Sequence, residues 1–283
     1  MSITGAAKLA GIIGWPVAHS RSPVLHGYWL NEYGIDGAYV PMAVKPENLR
    51  RALQSLPVLG FAGCNLTIPH KEEAMRAVDD YEPSARRAGG INTVVIKPNG
   101  TIIGSSTDGY GFIAALRAAL TGFNAAAGPA VVLGAGGAAR AVVAALLDEG
   151  AREIRLVNRT PERATKLAKE LGGEVRGIAW DKRHEALAGA GLLVNATSLG
   201  MEGQPALELA LDNLPRDAVV NDIVYVPLET PLLAAARARG NRCVDGLGML
   251  LQQAVPGFEA WFGVKPEVTP GLRQALLATL GRG

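Results

Sequence analysis

The sequence predicts an α/β protein of two domains, and three observations predict it. Strand-like apolar runs alternate with helix-like runs, which implies parallel strands joined by right-handed crossovers. The alternation stops in a small, turn-rich segment at 121–129 and then starts afresh. The second stretch opens with an apolar strand that runs directly into glycines at 130–137, the pattern that begins a doubly wound, Rossmann-type dinucleotide-binding sheet.

The elements follow in order. Residues 8–16 (KLAGIIGWP) read as a buried strand, and Ser22-Pro23 opens a helix that stops at Gly34. Residues 37–44, 46–56, 60–69 and 70–78 continue as strand, helix, strand and helix. At 91–106 two β-rich runs flank Asn99-Gly100, a strong hairpin signal, so the first sheet should carry an antiparallel edge. Residues 108–120 form a helix ahead of the boundary. Beyond it come the strand at 129–137, the helix at 138–150 and the strand at 153–159, which make one βαβ unit. Helix 161–172, strands 173–180, 190–198 and 217–225, helix 230–240 and the short strand 242–246 extend it. The rest, from Gly248, reads as helical. The domains expected are 1–121, 122–246 and a C-terminal helical segment, 247–283.

Composition excludes several function classes. Of 283 residues 48% are hydrophobic and 19% charged, which suits one large core or two smaller ones and not a disordered chain. Glycine supplies 35 residues without a G-X-Y period, which excludes collagen and points to tight turns and close backbone approaches. The net charge is +2 with no basic block, so a small-molecule partner is expected and nucleic acid is not. Cys64 and Cys243 make no disulfide framework and have no metal-ligand spacing, so no metal is expected. No segment has the ~18 to 20 apolar residues of a membrane span and no secretory signal opens the chain, so the expectation is a cytoplasmic protein without a membrane partner. A monomer and a homodimer both fit.

Gly134-Ala135-Gly136-Gly137-Ala138-Ala139 fits G-x-G-x-x-A at a strand-to-helix turn. Gly134 permits the turn, and Gly136 lets the backbone approach a pyrophosphate at the helix N-terminus. A packing turn is the plainer alternative. An NAD site would end its second strand with an acidic residue; here stand Asn158-Arg159-Thr160, with Arg163 one turn later. A guanidinium can clamp a 2′-phosphate that a carboxylate would repel, so NADP is the expected cofactor.

The chain also carries HSRSP at 19–23, NLTIPHK at 65–71, Ile91-Asn92-Thr93, Thr107-Asp108-Gly109, GAGGAAR at 134–140, NATSLGM at 195–201, Tyr225, TPLL at 230–233 and DGLGMLLQQ at 245–253. In this order and spacing they closely resemble the shikimate dehydrogenase family over nearly the whole chain. The resemblance implies NADPH-dependent reduction of 3-dehydroshikimate to shikimate, in chorismate and aromatic amino-acid biosynthesis. Its substrate is held between the N-terminal α/β domain and the Rossmann domain, and its C-terminal helices return to the first domain. It implies Lys71 as proton donor with Asp108 as partner, and Ser20, Ser22, Thr67, Asn92, Tyr225 and Gln253 as substrate ligands. It also extends the cofactor site to Thr197, Ile223 and Gly246.

Read singly, these residues have blander roles: Lys71 a solvated helix residue, Asp108 and Ser22 helix caps, Asn92 a strand-edge amide and Gln253 a satisfied amide on an apolar helix. His19, His26 and His70 read as packing or surface residues. Two departures stand beside substrate residues, Gly90 where the family usually has Ala and Ser106 where it usually has Asn. They keep open a quinate/shikimate dehydrogenase or an aminoshikimate-type paralogue. A non-catalytic NADP-binding sensor is the rival from another class, and the Lys71–Asp108 pair argues against it.

Overall fold

A computed structural model describes residues 3–280 and divides them into two compact units, 3–107 with 251–280 and 108–250. The division precedes the turn-rich segment at 121–129 because helix α4 (Asp108–Ala119) packs within the second unit: a Cβ on its Gly109 would lie 3.1 Å from that of Ala145. The sequence boundary at 121/122 thus falls one helix later than the division in the structure. At the other end the division falls inside helix α8 (Gly246–Gln252).

The first unit holds a six-stranded sheet of β1 (Lys8–Gly14), β2 (Gly37–Ala43), β3 (Phe61–Leu66), β4 (Asp80–Tyr81), β5 (Thr93–Ile96) and β6 (Ile102–Ser105), in the order β2-β1-β3-β5-β6-β4. Only β5 runs against its neighbours. The hairpin at Asn99-Gly100 forms as its sequence demands, with Gly100 at φ +85°. The antiparallel strand is interior and not at the edge, because β6 and the two-residue β4 lie beyond it.

One face of this sheet buries Ile13, Leu66, Ile91 and Val94 with Leu49 and Leu53 of α2 (Leu49–Ser55). Around Tyr39 of β2 gathers an aromatic cluster from α1 (Ser22–Glu32) and α9 (Val255–Phe262): His26, Trp29, Phe258 and Trp261. The Trp261 indole donates to the Val94 carbonyl at 2.9 Å and the Trp29 indole to the Glu267 carbonyl at 2.9 Å, fastening the C-terminal helices to the first unit.

The second unit is an all-parallel sheet of β7 (Ala130–Leu133), β8 (Ile154–Asn158), β9 (Val175–Ala179), β10 (Leu192–Asn195), β11 (Val219–Asp222) and β12 (Arg242–Val244), in the order β12-β11-β10-β7-β8-β9. This is the doubly wound order whose strand sequence reverses between β7 and β10, the point where dinucleotides bind. β7, β10 and β11 are buried throughout, as strands covered on both faces must be, which is why they read as continuous apolar runs. Helix α5 (Gly137–Asp148) follows β7, and α6 (Pro161–Leu171) follows β8. No helix among the described residues is long and apolar enough to cross a membrane.

Candidate active site

In the first unit the antiparallel run of β5 gathers the predicted substrate residues. The loops leaving β1, β3 and β6 carry Ser20 and Ser22, Thr67 to Lys71, and Thr107. Because β5 is reversed, its beginning lies at that same edge, with Thr93 opposite both Asn65 and Ser105. Asn92, just before β5, is 3% exposed and lies in a dense polar network. Its Nδ2 donates to Thr107 Oγ1 at 3.0 Å and to Gln253 Oε1 at 3.3 Å, and its Oδ1 accepts from the Thr107 amide at 2.9 Å and the Thr93 hydroxyl at 2.9 Å. Gln253 reaches it from the turn just past α8, not from within a helix.

Lys71 follows a loop pinned at several points. The Thr67 amide donates to the Ile13 carbonyl at 3.0 Å, the Trp15 amide to the Ile68 carbonyl at 3.1 Å, and the Ile91 amide to the Lys71 carbonyl at 2.8 Å. The last bond ties the Lys71 backbone to the residue that precedes Asn92. The α-helix expected over 70–78 is only a 3₁₀ turn at Glu73–Arg76, since the chain must leave it at once for β4. His70 is buried, and its Nε2 lies 2.8 Å from the Val44 carbonyl, so this nitrogen carries the proton and donates. Burial holds its pKa below the ordinary histidine value. It anchors the loop as a packing residue.

Ser20 and Ser22 stand at the start of α1. Ser20 Oγ accepts from the Ser22 amide at 3.2 Å, and Ser22 is buried as the first helical residue, ahead of Pro23. Neither side chain caps α1, whose cap position is Arg21. The capping alternative is therefore excluded for Ser22, while Ser20 orders the turn.

Sequence reasoning missed Asn65 and Tyr39. Asn65 is buried; its Oδ1 accepts from the Tyr39 hydroxyl at 2.6 Å and its Nδ2 donates to the Asn92 carbonyl at 3.0 Å. Asn65 opens the NLTIPHK motif and so could have been suspected. Tyr39 carries no sequence signal beyond a strand position.

Asp108, the first residue of α4, and the half-buried Tyr225 lie in the second unit with all the predicted cofactor residues. There Gly134 ends β7 at φ +106°, and a Cβ on it would meet the Ala196 carbonyl oxygen at 2.9 Å and Thr197 Cγ2 at 3.1 Å. Both conformation and space require glycine. Gly136 and Gly137 are different: a Cβ on either meets no protein atom within 4 Å, and Gly136 is extended at φ −96°. Nothing in the chain demands glycine at these two positions. They leave bare backbone at the N-terminus of a 12-residue helix, as a pyrophosphate needs, so the residues present fit a dinucleotide. Ala135 and Ala138 complete the turn.

β8 ends at Asn158, whose Nδ2 donates to the Thr160 carbonyl at 2.9 Å. Arg159 and Arg163 are exposed one turn apart, and no carboxylate pairs with either among the described residues. Across the switch point Thr197 is held by Asn195, whose Oδ1 accepts from the Thr197 amide at 3.1 Å and hydroxyl at 2.7 Å. Asn195 in turn donates to Asp222 Oδ1 at 2.9 Å, and the Thr230 hydroxyl donates to Asp222 Oδ2 at 2.7 Å. Burial raises the Asp222 pKa, against three donors that favour its charge. This brace shapes the loop beside Gly134. Gly246 meets Ile223 backbone to backbone, where a Cβ would fall 2.2 Å from the Ile223 carbonyl oxygen. No group of three or more His, Cys, Asp or Glu among the described residues could hold a metal ion.

Three family models match the chain in series: a shikimate dehydrogenase substrate binding domain over 12–94, shikimate / quinate 5-dehydrogenase over 118–202, and a shikimate 5'-dehydrogenase C-terminal domain over 246–277. A shikimate dehydrogenase (NADP(+)) of Paramagnetospirillum magneticum is 59% identical over 276 residues, covering 98% of this chain and 100% of the relative. Among solved structures, a shikimate 5-dehydrogenase from Thermus thermophilus in complex with NADP(H) and shikimate superposes with a TM-score of 0.85 at 38% identity, covering 96% of this chain and 99% of its own. A quinate dehydrogenase from Corynebacterium glutamicum in complex with NAD superposes with a TM-score of 0.89 at 31% identity, covering 96% and 99%.

Proposed function

This chain belongs to the shikimate dehydrogenase family, and from that premise we propose that it reduces 3-dehydroshikimate reversibly to shikimate with NADPH. The observation that supports the reading is the bond from the Ile91 amide to the Lys71 carbonyl, which ties the backbone of Lys71 to the segment that carries the networked Asn92. A lysine on a segment tied to one that bears a hydroxyl-binding amide can supply the proton that ketone reduction on a polyhydroxy acid requires.

When bound, the reduced nicotinamide supplies a hydride to the ketone carbon. The oxygen left with negative charge takes a proton from the Lys71 ammonium, so ketone, hydride and proton together give the alcohol. Asp108 is the partner carboxylate carried over from the family pattern. Asn92, Gln253 and Thr67 bind ring hydroxyls, Ser20 and Ser22 bind the carboxylate with the start of α1, and Tyr225 completes the substrate set. On the cofactor side Gly134 to Ala138 take the pyrophosphate, and Arg159 and Arg163, with Asn158 and Thr160, take the 2′-phosphate. Thr197, Ile223 and Gly246 line the remainder. NADPH-dependent turnover of a small hydroxy acid supports a cytoplasmic location.

A second reading, quinate oxidation, is favoured by the likeness to the quinate enzyme and by Gly90 and Ser106. Initial rates with shikimate and quinate, each with NADP+ and NAD+, separate the two. The proposed function requires shikimate with NADP+ to be the best pair; quinate with NAD+ as the best pair replaces it with the second reading.

A further inference from the structure

Taking Asn92 as a substrate ligand, as above, we propose that Tyr39 is a positioning residue for it, anchoring through Asn65 the backbone carbonyl of Asn92 and the Thr93 hydroxyl that bonds its side-chain amide. Tyr39 lies on the edge strand β2, 26 residues before Asn65, and belongs to none of the motifs that mark the site.

The argument is one of hydrogen-bond direction. An asparagine amide can be held either way round, and only its partners decide. The phenol is a fixed donor: burial raises the Tyr39 pKa well above its ordinary value, so the hydroxyl keeps its proton throughout the working range. Its donation to Asn65 Oδ1 at 2.6 Å turns Asn65 Nδ2 the other way, toward the Asn92 carbonyl at 3.0 Å and Thr93 Oγ1 at 3.2 Å. Thr93 Oγ1 accepts there, so its own proton goes to Asn92 Oδ1 at 2.9 Å. The Thr107 amide, which can only donate, also holds Asn92 Oδ1 at 2.9 Å, so Asn92 Nδ2 faces Thr107 Oγ1 and Gln253 Oε1 and the Thr93 hydroxyl adds the second donor that steadies this arrangement. Each link is a donor answering an acceptor, and every member is buried except the half-buried Gln253. Without the phenol, the buried Asn65 Oδ1 loses its donor, and the amide that supports the Asn92 carbonyl and the Thr93 hydroxyl loses its anchor on the other side.

The ring is held as firmly as the hydroxyl. His26 stacks on it with centroids 4.0 Å apart and planes 10° from parallel, and Trp261 packs at 6.0 Å.

Tyr39→Phe keeps the ring and its stacking and removes only the donor. The expected result is a KM for shikimate raised roughly three- to tenfold, with a smaller change in kcat and an unchanged KM for NADP+. Thr93→Val breaks the chain one link nearer the substrate, should give the same split, and carries the test if the first variant does not fold. The double variant should cost no more than Thr93→Val alone. Asn92→Ala, assayed alongside, separates the two levels of the argument. If it leaves the shikimate KM unchanged, the substrate assignment fails. If it raises that KM while both relay variants leave theirs within about 1.5-fold, or merely lower the melting temperature, the positioning role of Tyr39 is overturned.

Discussion

The backbone of Gly90 lies against that of Lys71 so closely that a Cβ at position 90 would meet the Lys71 carbonyl oxygen at 3.1 Å and the Lys71 Cβ at 3.3 Å. The Lys71 carbonyl cannot simply retreat, because it accepts from the Ile91 amide at 2.8 Å. A methyl group at position 90 therefore has no room unless Lys71, the proposed proton donor, shifts. Gly90→Ala should push Lys71 outward by a few tenths of an ångström and lower kcat by roughly 3- to 30-fold, since small misplacements of a reacting group are costly. Stability should fall by about 1 kcal/mol. An unchanged kcat would show that the contact has no bearing on Lys71.

Removing the donor itself is the harsher test. Lys71→Ala should lower kcat by about 10²- to 10⁴-fold, the usual worth of a general acid, while NADP(H) affinity measured by fluorescence titration stays the same. Near-normal turnover would move proton donation to another group.

His26 makes acid stability measurable. It is fully buried, neither ring nitrogen has a well-formed hydrogen bond, and burial pushes its pKa from 6.5 down to about 3, with Asn65 offsetting only part of the shift. A pKa depressed by folding means the folded state stays neutral where the unfolded chain is already protonated. The stabilisation is therefore complete above pH 6.5 and is lost as the pH falls toward 3, by about 1.4 kcal/mol per pH unit. His26→Phe, which retains an aromatic ring against Tyr39, should lose less stability between pH 6.5 and pH 4.5 in urea titrations. Identical pH slopes for the two proteins would exclude His26 as the source.

The fold was legible where its signals are local. Apolar runs gave the buried strands, Asn99-Gly100 the hairpin, and the glycines after β7 the dinucleotide turn. What stayed hidden depends on partners distant in sequence. That β5 is interior is decided by β6 and β4 pairing beyond it. Tyr39 acts through Asn65, 26 residues on, and Gln253 meets Asn92 across 161 residues. The brace of Asn195, Asp222 and Thr230 was visible only as two polar residues at strand ends and a third at a helix start, with nothing to say that they meet.

Cofactor choice tests the end of β8. Arg159 and Arg163 have no carboxylate partner among the described residues, and no acidic residue precedes them to accept from a ribose hydroxyl. Arg159→Ala should weaken NADP(H) by about 1.5 to 3 kcal/mol, the range for hydrogen bonds to a charged group, and change NAD(H) binding by less than about twofold. Equal losses for both cofactors would mean that this arginine does not read the 2′-phosphate.

The carboxylate end of the site separates the two candidate substrates. Ser20 and Ser22 flank the start of an 11-residue helix, with Ser20 Oγ already accepting from the Ser22 amide and the Ser22 side chain buried. Such a site offers small hydroxyls and a helix N-terminus to an anion. Shikimate presents its carboxylate on a flat double bond, whereas quinate adds a hydroxyl on a tetrahedral carbon at that point. A hydroxyl taken into this buried corner without a partner costs about 1 to 3 kcal/mol, so kcat/KM for shikimate should exceed that for quinate by roughly 5- to 150-fold. Ser20→Ala and Ser22→Ala should each raise the shikimate KM more than they lower kcat, because a carboxylate remote from the reacting carbon is bound almost equally in ground and transition states. Of the two, Ser22→Ala should be the more damaging, since its side chain is the buried one. Quinate turned over as efficiently as shikimate, or serine variants with an unchanged KM, would take the carboxylate away from this pair.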